Sequence, residues 1–245
     1  MRNETKFSKS MQNLVYGRIP LLNVLDTKRV KEVYLQNGFS DQKILSALKQ
    51  ANISPKFVDI KILDQMSEHG NHQGVLAKVE PYKYSTLEEI ISSAKSKKNP
   101  LILILDEVSD PHNFGAIIRT CDAFSVDGII IKSKNQVPVN LTVTKVATGA
   151  DSYVKIAMVT NLNNAIKELK DEGYWVYGAD GSAKDDYSKL KYDGPVALVV
   201  GSEGFGISKL TLQNCDFVIK IPMNGHVNSL NVSVATGILL ARIRN

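Results

Sequence analysis

Three stretches of this sequence crowd polar chemistry into short segments that carry glycine or proline. In the first, Asp110-Pro111-His112-Asn113-Phe114-Gly115 leads into an apolar helix that holds Arg119. At about 100° per residue, Ile117, Ile118, Cys121 and Phe124 share one face, so Arg119 points to the other side. A guanidinium there, one turn into a helix, suits a phosphate or a carboxylate; a solvated surface arginine is the plain alternative. The second stretch is Gly201-Ser202-Glu203-Gly204-Phe205-Gly206. It imitates a dinucleotide fingerprint but sets Glu203 where a glycine should let a pyrophosphate approach. A carboxylate there suits ribose hydroxyls, an amine or a positive centre, and a tight strand-to-helix turn is the alternative. In the third, Ile221-Pro222-Met223-Asn224-Gly225-His226-Val227-Asn228-Ser229-Leu230-Asn231-Val232-Ser233, Pro222 ends a strand and Ser229 is placed to cap the last helix. Asn228, Asn231 and Ser233 then put amides and hydroxyls into a helix start that reads as buried. Such groups bond within the protein or meet a ligand.

Other chemistries lack their residues. No phosphate-loop Gly-Lys-Ser/Thr, His-Glu-x-x-His or Gly-x-Ser-x-Gly occurs. Glu68, His69 and His72 lie in a glycine-bearing loop and make a poor metal set, so no metal is expected. His226 reads as an ordinary loop residue. The two cysteines, Cys121 and Cys215, form no disulfide framework and fit a reducing compartment.

Two different patterns must position these stretches. From residue 101 onward, apolar strands at 101–105, 128–131, 174–177, 196–200 and 217–221 alternate with helices such as 161–169. That is the signature of a parallel α/β sheet covered on both faces, with ligands at the strand carboxyl ends. Residues 14–80 read as a smaller α/β unit: a helix opened by Pro20 with Leu21, Leu22 and Leu25, a strand at 32–35, and a helix capped by Ser40 with Ile44, Leu45 and Leu48. A strand at 56–58, a short helix with Ile62, Leu63 and Met66, and a strand at 75–79 complete it. The expected division is 1–81 as one domain with a short polar tail, 82–99 as a linker containing a helix, and 100–245 as the second domain.

The 245 residues carry 30 Lys+Arg and 25 Asp+Glu, a formal +5. Residues 1–100 hold 16 basic and 10 acidic side chains, and the remainder 14 and 15, so the whole excess lies in the first part. That placement suggests an anionic partner for the first part, although a Lys-rich soluble protein has the same balance. No apolar run approaches the ~20 residues of a membrane span, and the polar start lacks a secretory core, so a cytoplasmic protein is expected.

In their order and spacing the three stretches resemble the SpoU (TrmH-like) family of RNA ribose 2′-O-methyltransferases, in the SPOUT class. The match runs from Asp110 to Gly115 with Ile118-Arg119-Thr120, through Gly201 to Gly206, to Ile221-Pro222-Met223 and Ser229-Leu230-Asn231-Val232-Ser233. The first domain, with Val15-Tyr16-Gly17 and Asn71-His72-Gln73-Gly74-Val75, looks like the L30e-like RNA-binding module of some members. That combination most resembles members that methylate a guanosine ribose in 23S ribosomal RNA. The resemblance implies S-adenosylmethionine as cofactor, a trefoil-knotted catalytic domain, and a homodimer with active sites beside the subunit interface. Carried over by motif, Ala179, Asp180, Gly201, Ile221 and Leu230 hold the cofactor, while Asn113, Arg119, Glu203, Ser229 and Asn231 form the catalytic set. Arg119 is expected to bind an RNA phosphate and stabilise the developing alkoxide, oriented by Asn113 and Glu203. RNA contacts are expected from Arg18, Asn71, His72, Gln73 and the lysines of the linker. Rival readings are a transfer-RNA ribose methyltransferase, a non-catalytic RNA-binding or ribosome-assembly protein, and, against the broken glycine fingerprint, a nucleotide-dependent oxidoreductase.

Overall fold

A computed structural model describes residues 14–25 and 29–245. The polar start of the chain, expected as a tail without a secretory core, lies outside the described residues. The chain divides into two compact units, Met1–Lys83 and Tyr84–Asn245.

The first unit holds β1 (Leu14–Tyr16), α1 (Arg18–Leu25), β2 (Val30–Gln36), α2 (Gln42–Gln50), β3 (Lys56–Val58), α3 (Ile60–Met66) and β4 (Val75–Val79). Its sheet runs β1-β4-β2-β3, with β4 antiparallel to β1 and β2, and β3 parallel to β2. Val33 and Leu35 alternate inward from β2 and pack in a core that includes Leu21, Val24, Ile44 and Leu48. Two expectations shift here. Helix α1 starts at Arg18, which leaves Pro20 in the first turn, where a missing N–H costs nothing. The cap of α2 is Asp41, not Ser40: Asp41 Oδ1 accepts from Lys43 N at 3.0 Å and Ile44 N at 3.3 Å.

The second unit opens with α4 (Leu87–Ala94), followed by β5 (Leu101–Asp106), α5 (Pro111–Ala123), β6 (Gly128–Lys132), α6 (Leu141–Ala147), β7 (Ile156–Val159), α7 (Leu162–Asp171) and β8 (Trp175–Ala179). Then come β9 (Asp185–Asp186), β10 (Val196–Gly201), α8 (Lys209–Gln213), β11 (Phe217–Lys220) and α9 (Val232–Arg244). The seven strands are all parallel, in the order β7-β6-β5-β10-β8-β11-β9. Every residue of the central strands β5 and β10 is buried, as expected of continuous apolar runs between two helical layers.

The stretch expected as a linker belongs to this unit. Thr86 and Glu89 form a reciprocal capping box, and Leu87, Ile90 and Ile91 of α4 enter the core with Ile102, Ile104 and Ile130. Two of its lysines pair within the unit, Lys95 with Glu172 at 2.9 Å and Lys97 with Asp127. Helix α5 begins at Pro111, so the expected loop 110–115 is largely its first turn: Asp110 caps it by accepting from His112 N at 2.9 Å, and Pro111 needs no partner at N1. Among the described residues no helix is long and apolar enough to cross a membrane.

Candidate active site

Strands β5, β10, β8 and β11 lie side by side and point the same way, so their carboxyl ends share one edge of the sheet. The segments leaving β5, β10 and β11 are the three polar stretches, and β8 delivers Ala179 and Asp180. A cavity of about 250 Å³ at this edge is lined by Ala179, Asp180, Glu203, Ile221, Ser229 and Leu230, among others. Six of the ten residues expected for cofactor and catalysis therefore face one space. Lys220 also lines it and was not anticipated; its place at the end of an apolar strand was the available signal. Asp180 Oδ1 is engaged by Ser182, from its N at 2.8 Å and its Oγ at 2.6 Å.

Gly201 has a different role from a lining residue. A Cβ built there would fall 2.0 Å from Gly206 C and 2.1 Å from Gly206 O. The absent side chain lets the following loop fold back over the strand end, where Ser202 N donates to Gly206 O at 3.1 Å and Gly206 N to Ser202 O at 2.9 Å. This turn presents Glu203 to the cavity.

Asn113, Glu203 and Asn231 meet although they come from three segments. Asn113 Nδ2 donates to Glu203 Oε1 and, at 3.1 Å, to Asp110 Oδ2; Asn231 Nδ2 donates to Asn113 Oδ1 at 2.9 Å. Asn231, not Ser229, caps α9, with its Oδ1 accepting from Ser233 N at 2.9 Å and Val234 N at 3.4 Å. The start of α9 is open rather than buried: Asn228, Ser229 and Asn231 are exposed.

Arg119 lies on the exposed face of α5, as the helical spacing required, and makes no hydrogen bond or ion pair among the described residues. Asn113 and Glu203 bond to each other and not to it, contrary to the expectation that they orient the guanidinium. Neither cysteine is suited to nucleophilic work: burial pushes Cys215 up to about 12 and Cys121 further still.

In the first unit the residues expected to touch RNA separate into two kinds. Asn71 is exposed, whereas His72 is 7% exposed and turned inward. Its Nδ1 accepts from Gly74 N at 3.0 Å, which leaves Nε2 to donate to Asp64 Oδ1 at 2.9 Å. The histidine shapes the turn instead of presenting a ring to a ligand. Gln73 is exposed, but its Oε1 accepts from Arg18 N at 3.0 Å, leaving only its amide N–H groups outward. Arg18 pairs with Asp41 at 3.0 Å and lies over the ring of Phe39.

Residues 100–241 match the family described as the SpoU rRNA Methylase family, and residues 14–85 match the one described as RNA 2′-O ribose methyltransferase substrate binding. A Bacillus subtilis protein, YacO, assigned to the TrmH family of tRNA/rRNA methyltransferases, is 44% identical over 82% of this chain and 81% of its own. Among solved structures, the AdoMet-bound rRNA methyltransferase of Sinorhizobium meliloti superposes with a TM-score of 0.68 at 24% identity, over 98% of this chain and 90% of that one. The AdoMet complex of the SpoU methyltransferase AviRb from Streptomyces viridochromogenes gives 0.71 at 19% identity, over 99% and 92%. The two solved structures carry the fold alone; with the family match over residues 100–241 and the close Bacillus relative, this chain belongs to the SpoU (TrmH) family.

Proposed function

We propose that this protein transfers a methyl group from S-adenosylmethionine to a ribose 2′-hydroxyl of RNA, with a guanosine of 23S ribosomal RNA as its target. The observation that carries this is the convergence of Glu203, Asn113 and Asn231 beside a cavity lined by Ala179, Asp180, Ile221 and Leu230. The cavity suits the cofactor: apolar walls from Ile221 and Leu230 can face an adenosine, and the carboxylates of Asp180 and Glu203 suit a molecule bearing an amine and a sulfonium. When bound, the cofactor supplies an electrophilic methyl, so much of the catalysis reduces to alignment. Gly201 contributes through the turn that it permits. Ser229 and Glu203 face the reacting end, and Arg119, free on its helix, holds the RNA phosphate and steadies the developing alkoxide as the 2′-hydroxyl gives up its proton to solvent water. Arginine itself is a poor proton acceptor, having no lone pair when protonated.

The first unit selects the RNA through Asn71 and Gln73, with Arg18 and His72 holding their turn; its L30e-like character is part of the same reading. So are a trefoil knot in the second unit, a cytoplasmic setting and a homodimer. The dimer is supported by apolar side chains left open near the cavity, Val234 at 50% on α9 and Phe205 at 97% in the 202–206 turn. The name of the Bacillus relative spans both transfer and ribosomal RNA, so the target is tested in cells. Mapping ribose methylation with and without this protein should show one guanosine of 23S RNA losing its methyl. Loss confined to a transfer RNA would replace the ribosomal target.

A further inference from the structure

Asn113 is 8% exposed, and both N–H groups of its side chain are committed, one to Asp110 Oδ2 at 3.1 Å and one to Glu203 Oε1. Ionised carboxylates only accept, so the amide has a single orientation. Flipped, it would set its oxygen against two carboxylates and its N–H groups against Asn231 Nδ2. The same constraint passes to Asn231. Because Asn231 must donate toward Asn113 Oδ1 at 2.9 Å, its own oxygen turns to α9, where it accepts from Ser233 N and from Ser233 Oγ at 2.6 Å. At the other end Asp110 Oδ1 accepts from His112 N. A directional chain of hydrogen bonds therefore joins the N-termini of α5 and α9, and Glu203 hangs from its middle. Polar chains of this kind are costly when one member faces the wrong way.

We infer that Asp110 is a positioning residue of the transfer site: it sets the amide polarity of Asn113 and Asn231, and so holds Glu203 and the 221–231 segment against the cavity. This rests on the function proposed above. Asn113, with both donors spent, then acts by assembling the site and not by touching the substrate. Glu203 keeps Oε2 free of any described partner.

The rival account is that Asp110 is only a helix cap, and two substitutions separate them. Asparagine and serine both cap helices well, so a capping role alone predicts that Asp110→Asn and Asp110→Ser melt within about 2 °C of each other. Only Asp110→Asn brings an N–H group against a donor, whichever way its amide turns. Its kcat should fall about 10-fold below that of Asp110→Ser, with KM for RNA changed less than about 2-fold. Calorimetry, which needs no turnover, should find S-adenosylmethionine bound about 3-fold or more weakly by Asp110→Asn than by Asp110→Ser. Equal kcat and equal affinity in the two variants would overturn the inference and leave the methyltransferase reading intact. If the wild-type protein transfers no methyl to any RNA, the functional reading fails, and the calorimetric ranking still decides the role of Asp110.

Discussion

Replacing Arg119 by alanine should reduce methyl transfer by at least about 100-fold, the scale seen when one preorganised donor to a developing oxyanion is removed. Affinity for S-adenosylmethionine should change by less than about 2-fold, because Arg119 is not among the residues lining the cavity and bonds to none of them. The guanidinium makes no hydrogen bond or ion pair among the described residues that the substitution could break, and its exposed position on α5 means that no core packing is lost. Stability should therefore stay within about 0.5 kcal/mol of wild type. Arg119→Lys keeps the charge but loses the planar fork, and should fall between the two, about 10-fold down. Rapid-quench transfer to RNA, with cofactor titration in parallel, reads both quantities. An alanine variant that turns over at the wild-type rate would remove Arg119 from the site.

The second large effect is expected at Gly201. Its backbone is not in the left-handed region, so the cost of Gly201→Ala is purely steric: the new Cβ meets Gly206 C at 2.0 Å and Ile207 N at 2.2 Å. Backbone atoms cannot rotate away as a side-chain tip can, so the 202–206 turn must lift off the end of β10. Overpacking of this kind costs about 1–3 kcal/mol, or about 5 °C in melting temperature for a unit of this size. Lifting the turn also withdraws Glu203 from Asn113, so cofactor affinity should fall by about 30-fold or more. Gly225→Ala is the matched control, since a Cβ there meets nothing within 4 Å. Calorimetry showing equal cofactor affinity for Gly201→Ala and Gly225→Ala would mean that the turn does not shape the cavity.

What could be read in the residues followed how strongly each signal is local. Strands β5 and β10 were legible because every side chain in them is buried, which leaves an unbroken apolar run. The exposed face of Arg119 followed from helical spacing alone. Capping residues were harder: Ser40 beside Asp41, and Ser229 near Asn231, are chemically equivalent candidates, and only the path of the backbone selects between them. Helix α6, Leu-Thr-Val-Thr-Lys-Val-Ala, is rich in β-branched residues, and its tight packing on α5 overrides their weak helical preference. The role of 82–99 did have a local mark, Thr86 and Glu89 in capping-box spacing, which shows that a packed helix starts there. The inward turn of His72 had none, because it depends on Asp64 and on the N–H of Gly74. Asp110 stood in plain view as a residue before proline; its link to Asn113 needed the three-dimensional path.

The most direct test of the central claim is to incubate the protein with methyl-labelled S-adenosylmethionine and unmodified ribosomal RNA, and then hydrolyse the RNA in alkali. A 2′-O-methyl group removes the internal nucleophile for cleavage, so the label should emerge in an alkali-resistant dinucleotide with guanosine on its 5′ side. Label recovered in mononucleotides would place the methyl on a base and contradict ribose transfer.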